Sequence, residues 1–217
     1  MGGAGLVTKI EEESQRQGLL MQALGNHYGI LQAARGTTVS ESSSRSSLYL
    51  TSLSAAVIGL SFVAQASRFG DPFFIFALAI LPVVFFLGAV TYYRNLQTGV
   101  ADVLAAQSMT RIRDYFSEID PSRAELFREI TVEHVGIHGG GLFSALWWQQ
   151  FLSAAATIAI VNSVVGGVFI ALVISYAFNQ GALVGVAVGC SAALVIGIAF
   201  LRHQWGTMMH VVRVLRQ

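Results

Sequence analysis

The amino-acid sequence predicts an all-α, polytopic membrane protein: four transmembrane helices arranged as two antiparallel hairpins, with a cytoplasmic helical layer. Three observations carry that prediction. Of 217 residues, 54% are hydrophobic and 12% are charged, about half the charged share of an ordinary soluble domain. The apolar residues are gathered into four charge-free runs, 48–66, 73–93, 151–178 and 181–201. Each run meets or nears the about 20 residues that a bilayer-spanning helix needs. Of the 13 lysines and arginines, only Arg68 falls between spans one and two, and none falls between spans three and four. The other 12 precede span one, separate spans two and three, or follow span four. The positive-inside rule therefore puts both termini and the long middle loop in the cytoplasm, with the protein in the inner or plasma membrane of the cell.

The first segment, 1–47, reads as a cytoplasmic arm. It holds Lys9, Glu11, Glu12, Glu13 and Arg16 with no apolar run, so it is not a cleavable signal peptide. A short helix is expected from about Ile10 to Leu24. The run TTVSESSSRSS at 37–47 reads as a polar linker on composition.

Residues 48–93 form the first hairpin. Ser54, Ser61 and Gln65 recur at intervals of seven and four, so they share one face of span one. A pore lining has that pattern, and so does a helix packed polar face inward against a subunit. Span two is bulky and aromatic, with Pro82 at its centre, where the missing N–H frees a carbonyl and kinks a helix. Tyr92 and Tyr93 fall where interface aromatics belong.

The middle segment, 94–149, is not a slack connector. Leu96, Val100, Val103, Leu104, Ile112, Tyr115, Phe116 and Ile119 recur at helical spacing with charges between them, so span two is expected to continue as an amphipathic helix. Asp120 and Pro121 open a further helix to about Gly136. The glycines 139–141 end it before an interfacial stretch containing Trp147 and Trp148.

Residues 150–201 form the second hairpin, and here small residues dominate. Span four carries Gly181, Gly185, Gly189, Ala193 and Gly197 in steps of four. Span three carries Ala155, Ala159, Ser163, Gly167, Ala171 and Ser175 in the same steps. A phosphate loop would need a following lysine and hydroxyl, which are absent. In lipid, small residues four apart let helix backbones approach closely. The two ridges therefore predict tight packing of spans three and four, within one chain or between chains. Asn162 and Ser163 are the strongest polar features at bilayer depth, either as interhelical glue or beside a water-filled path. Cys190, the single cysteine, reads as a small buried hydrophobe. Residues 202–217 are a cytoplasmic tail, with Trp205 in the interfacial belt.

Chemistry has few handles in this chain. The spans hold no ionisable group of the kind that marks proton relays and ion sites. His134 and His138, one turn apart beside Glu133, are the nearest approach to a metal pair, with His203 or His210 needed as a third ligand. Plain surface histidines are the simpler reading, so no metal and no cofactor are expected, and no catalytic residue is assigned. A net charge of +1 argues against nucleic acid as a partner. The expected partners are the lipid bilayer, further copies of the chain as a homo-oligomer, and a cytoplasmic protein.

Three functions from different classes fit these observations. The first is a homo-oligomeric channel or pore, for transport of an ion or small solute, with a cytoplasmic helical vestibule. The second is a membrane-anchored accessory, scaffold or signalling-effector subunit that binds a partner through its cytoplasmic helices. The third is an interfacial membrane enzyme. Charge-free spans favour the first two, and the otherwise unexplained polar faces favour the channel.

Overall fold

The computed structural model describes residues 3–119, 153–177 and 182–215. They form four helices: α1 (Gly3–Ser67), α2 (Asp71–Ile119), α3 (Ala154–Ala177) and α4 (Ala182–Leu215). No strand occurs among the described residues. Each helix contains a stretch long and apolar enough to cross a membrane, so the chain is that of a multi-pass membrane protein. The described parts of residues 1–39 and 101–137 make one compact unit, and those of 40–100 and 138–217 make a second. Gly181, the helix expected over 121–136, His134, His138, Trp147 and Trp148 lie outside the described residues.

The first finding that departs from sequence expectation is α1 itself. Residues 37–47 are helical rather than a linker. Three of the hydroxyls that make this stretch look like a loop turn back onto the helix. Thr37 donates to the Ala33 carbonyl at 3.1 Å, Thr38 to Arg35 at 2.8 Å and Ser46 to Ser42 at 2.8 Å. Arg45 also reaches Glu41 one turn away at 2.6 Å, a spacing that supports helices. Neither proline nor glycine interrupts residues 37–58. A helix needs about 20 residues to cross a hydrocarbon core of about 30 Å, and α1 has 65.

In the first unit the buried and half-buried positions of α1 are Met21, Leu24, Tyr28, Leu31, Arg35 and Thr38. Those of α2 include Asp102, Ala105, Met109, Ile112 and Phe116. Steps alternating between three and four are the seam of a coiled coil. Within that seam, Arg35 forks onto Asp102, Nε to Oδ1 at 2.7 Å and a terminal nitrogen to Oδ2 at 3.2 Å. A bidentate pair of this kind fixes register as well as adding attraction. The seam is narrower than the apolar stripe expected over 95–119. Val103, Leu104, Tyr115 and Ile119 remain exposed.

In the second unit, the turn between α1 and α2 is tight. Arg68 and Phe69 take positive φ, 49° and 59°, and the Gly70 amide closes on the Ser67 carbonyl at 2.9 Å. Pro72 then sits in the first turn of α2, where its missing donor costs nothing. Pro82 lies inside α2, which continues past it to Ile119. The core gathers Tyr49 and Ala56 from α1, Ala77, Leu81, Val84, Tyr92 and Leu96 from α2, and Ala155, Ile158, Ala159 and Val165 from α3. Phe200 and Met208 of α4 pack against it.

Candidate functional site

The deepest polar group of the second unit is Asn162 on α3, wholly buried. The Tyr49 hydroxyl of α1 donates to its Oδ1 at 3.2 Å. α2 meets the same amide at Gly88, where a Cβ would collide with Asn162 Oδ1 and lie 2.7 Å from the Tyr49 ring. One asparagine thus ties three helices together, and a glycine makes room for it. Its Nδ2 has no hydrogen-bond partner among the described residues, an expensive state for a buried donor. Ser163 beside it is buried and donates to Ala159 at 2.6 Å.

Further polar contacts join the helices elsewhere in the second unit. Asn95 donates to the Ser46 hydroxyl at 2.9 Å. Tyr92, expected in an interfacial belt, is 2% exposed, and its hydroxyl donates to the Phe200 carbonyl at 2.7 Å. Gln204 of α4 donates to Ser153 Oγ at 3.0 Å. That same oxygen accepts from the Ala156 amide at 3.2 Å, the geometry of an N-cap, which starts α3 at this point.

Of the five predicted polar candidates, the structure brings Asn162 and Ser163 into the core and leaves Ser54, Ser61 and Gln65 exposed. The reason is angular. Tyr49 takes the inward face of α1, and five residues later at 100° per residue Ser54 points some 140° away. Ser54 donates to Leu50 and Ser61 to Val57, both at 2.8 Å. Among the described residues the two sets make no continuous polar track within one chain. Sequence reasoning missed Tyr49, Gly88, Asn95 and Gln204 as neighbours or members of the polar core. Asn95 and Gln204 carried a signal, each as a polar residue within one turn of the end of a span.

The small-residue ridges do meet. A Cβ on Gly167 would lie 2.5 Å from the Gly189 carbonyl oxygen and 2.6 Å from Ala193 Cβ. One on Gly189 would lie 2.6 Å from Ala171 Cβ and 2.7 Å from the Gly167 carbonyl oxygen. Gly185 faces Ser175 and Ala171, and Gly197 faces Ser163. Ala155 and Ala159 are buried in the core cluster instead. Beside this contact lies an apolar hollow of about 450 Å³ lined by Val164, Val168, Val186 and Leu194 among others. Cys190 opens onto it and is exposed rather than buried, because its neighbour Gly189 takes the contact with α3.

The importance of the Tyr49–Asn162 bond can be measured. Tyr49→Phe removes one interhelical hydrogen bond without changing shape, so a loss of about 0.6 kcal/mol, and at most about 1.7, is expected. Thermal unfolding in mild detergent, compared with the parent chain, reads it.

Compared with known proteins, the chain matches no family model, no curated protein and no solved structure.

Proposed function

We propose that this protein is a homo-oligomeric membrane channel whose path runs between copies, along the outward face of α1. The observation that carries the reading is the placement of Ser54, Ser61 and Gln65 on the exposed side of a helix apolar enough to span a membrane. An amide held against lipid is costly, so a water-filled path or a neighbouring copy is its natural cover. Among the described residues the interior offers no competing route at Asn162, which is closed in by Tyr49 and by the wall at Gly88.

In this reading α1 with α2, and α3 with α4, form two antiparallel hairpins. The order of their contacts supports it. Along α1 and α2, Ser46 meets Asn95, Tyr49 meets Gly88 and Gly59 meets Phe76. Along α3 and α4, Ser163 meets Gly197, Gly167 meets Ala193 and Ser175 meets Gly185. Partner numbers fall on one helix as they rise on the other. The basic residues place both termini and the extended parts of α1 and α2 in the cytoplasm, where those helices form a vestibule. No catalytic role is assigned to any residue.

A second reading has its own observation. Leu104, Tyr115 and Ile119 of α2 are exposed, lie beyond its apolar run and fall within about 60° of one another around the helix. A scaffold or signalling effector that recruits a cytoplasmic protein would present such a surface.

The test is native mass spectrometry in mild detergent followed by solute flux in liposomes. A closed assembly of several identical chains, with flux changed severalfold or more by Gln65→Leu, supports the channel. A monomer, or one copy carried out with a different protein, sinks it and favours the second reading.

A further inference from the structure

The outward face of α4 carries a hollow of about 450 Å³ lined by Ile198, Leu201, Arg202, Trp205 and Gly206. It straddles the point where the charge-free run ends at residue 201. Ile198, the pair Leu201 and Arg202, and the pair Trp205 and Gly206 come from successive turns, so they form one stripe along the helix. That stripe is turned away from Gly185, Gly189 and Gln204, which face the other helices. Its composition changes along its length, from Ile198 and Leu201 inside the span to a cation and an indole just beyond it. Gly206 closes the far end with open space where a side chain would stand.

Arg202 is exposed, and α4 contains no aspartate or glutamate from Ala182 to Leu215. Its charge is therefore unanswered on its own helix. A hollow with apolar walls on the membrane side and a guanidinium at the boundary is complementary to an amphiphile of opposite charge. We propose that it binds an anionic glycerophospholipid, with the phosphate at Arg202, an acyl chain along Ile198 and Leu201, and Trp205 at the level of the ester groups. The guanidinium fork matches two phosphate oxygens, and the indole is the side chain best suited to that depth of a bilayer. The proposal rests on α4 crossing a membrane and is independent of the channel reading.

The experiment uses the full chain with Trp147→Phe and Trp148→Phe, which leaves Trp205 as the sole tryptophan of the original three. It is reconstituted in phosphatidylcholine vesicles containing a fixed fraction of brominated phosphatidylglycerol or of brominated phosphatidylcholine. The brominated anionic lipid should quench Trp205 as if enriched about fivefold at the indole, the value of one basic side chain at an anionic surface. Arg202→Gln should bring that enrichment down to about one. Equal quenching by the two lipids, or a preference that survives Arg202→Gln, overturns the proposal. Should the tryptophan variants fail to fold, native mass spectrometry of the chain with its tryptophans intact, mixed with both lipids, decides. Selective retention of phosphatidylglycerol, lost in Arg202→Gln, supports the site, and equal retention refutes it.

Discussion

Gly167→Val is expected to cost on the order of 3 kcal/mol, enough to lower the thermal midpoint in detergent by many degrees or to prevent folding. The reason is that the obstacle is main chain. A Cβ at this position would sit 2.5 Å from the Gly189 carbonyl oxygen and 2.6 Å from Ala193 Cβ, and neither atom can rotate out of the way. α3 and α4 would have to separate along their whole contact, and in lipid no hydrophobic drive returns them. Gly25→Ala is the matched control. A Cβ there meets nothing within 4 Å, so the change should be neutral or stabilising by up to about 1 kcal/mol through helix propensity. Opposite signs for two glycine substitutions in the same chain would isolate backbone approach as the cause. A mild loss at Gly167 would mean that the ridges do not hold the pair together.

The second large effect is expected at Gly88. Gly88→Ala adds one methyl group where Asn162 Oδ1 and the Tyr49 ring already stand. Both obstacles are side chains, but Asn162 is wholly buried and Tyr49 equally so, so neither has a free rotamer to move into. A loss of about 2 kcal/mol is expected, larger than that for Tyr49→Phe, which deletes the hydrogen bond and leaves the space. If thermal unfolding ranks these two variants the other way, the bond rather than the fit holds the three helices. Gly88→Ala combined with Asn162→Ala should recover part of the loss, because the second change removes the atom that the first one strikes.

The two glycine sites differ in how far the sequence announced them. Gly167 stood in a row of small residues facing a second such row on the next span, and a spacing of four is a physical signature of close helix approach. The sequence left open whether the rows meet within one chain, and the contacts of Gly167 with Gly189 and Ala193 answer that. Gly88 had no such signature. It follows Phe85, Phe86 and Leu87, and its partner Asn162 is 74 residues away, so only the tertiary fold reveals it. Tyr49 and Tyr92 were hidden for a related reason. A tyrosine at the end of an apolar run has the composition of an interface residue whether its ring turns outward or, as here, inward to a partner. The serine-rich stretch at 37–47 misled in the opposite direction. Serine is common in linkers because it can bond to its own backbone, and the same habit lets a hydroxyl sit in a helix by finding a carbonyl about one turn back, as Thr37, Thr38 and Ser46 do.

That habit bears on how the protein reaches its membrane. The apolar stretch of α1 is the least hydrophobic of the four, and its serines contribute to that. Yet Ser52, Ser54, Ser61 and Ser67 all donate to the carbonyl four residues earlier. A hydroxyl already engaged in this way presents little unmet demand to the translocation machinery as the segment partitions sideways into lipid. The apolar stretch of α1 is thus more oily than its letters suggest, while the exposed Gln65 amide on its outward face still calls for water, headgroups or another chain.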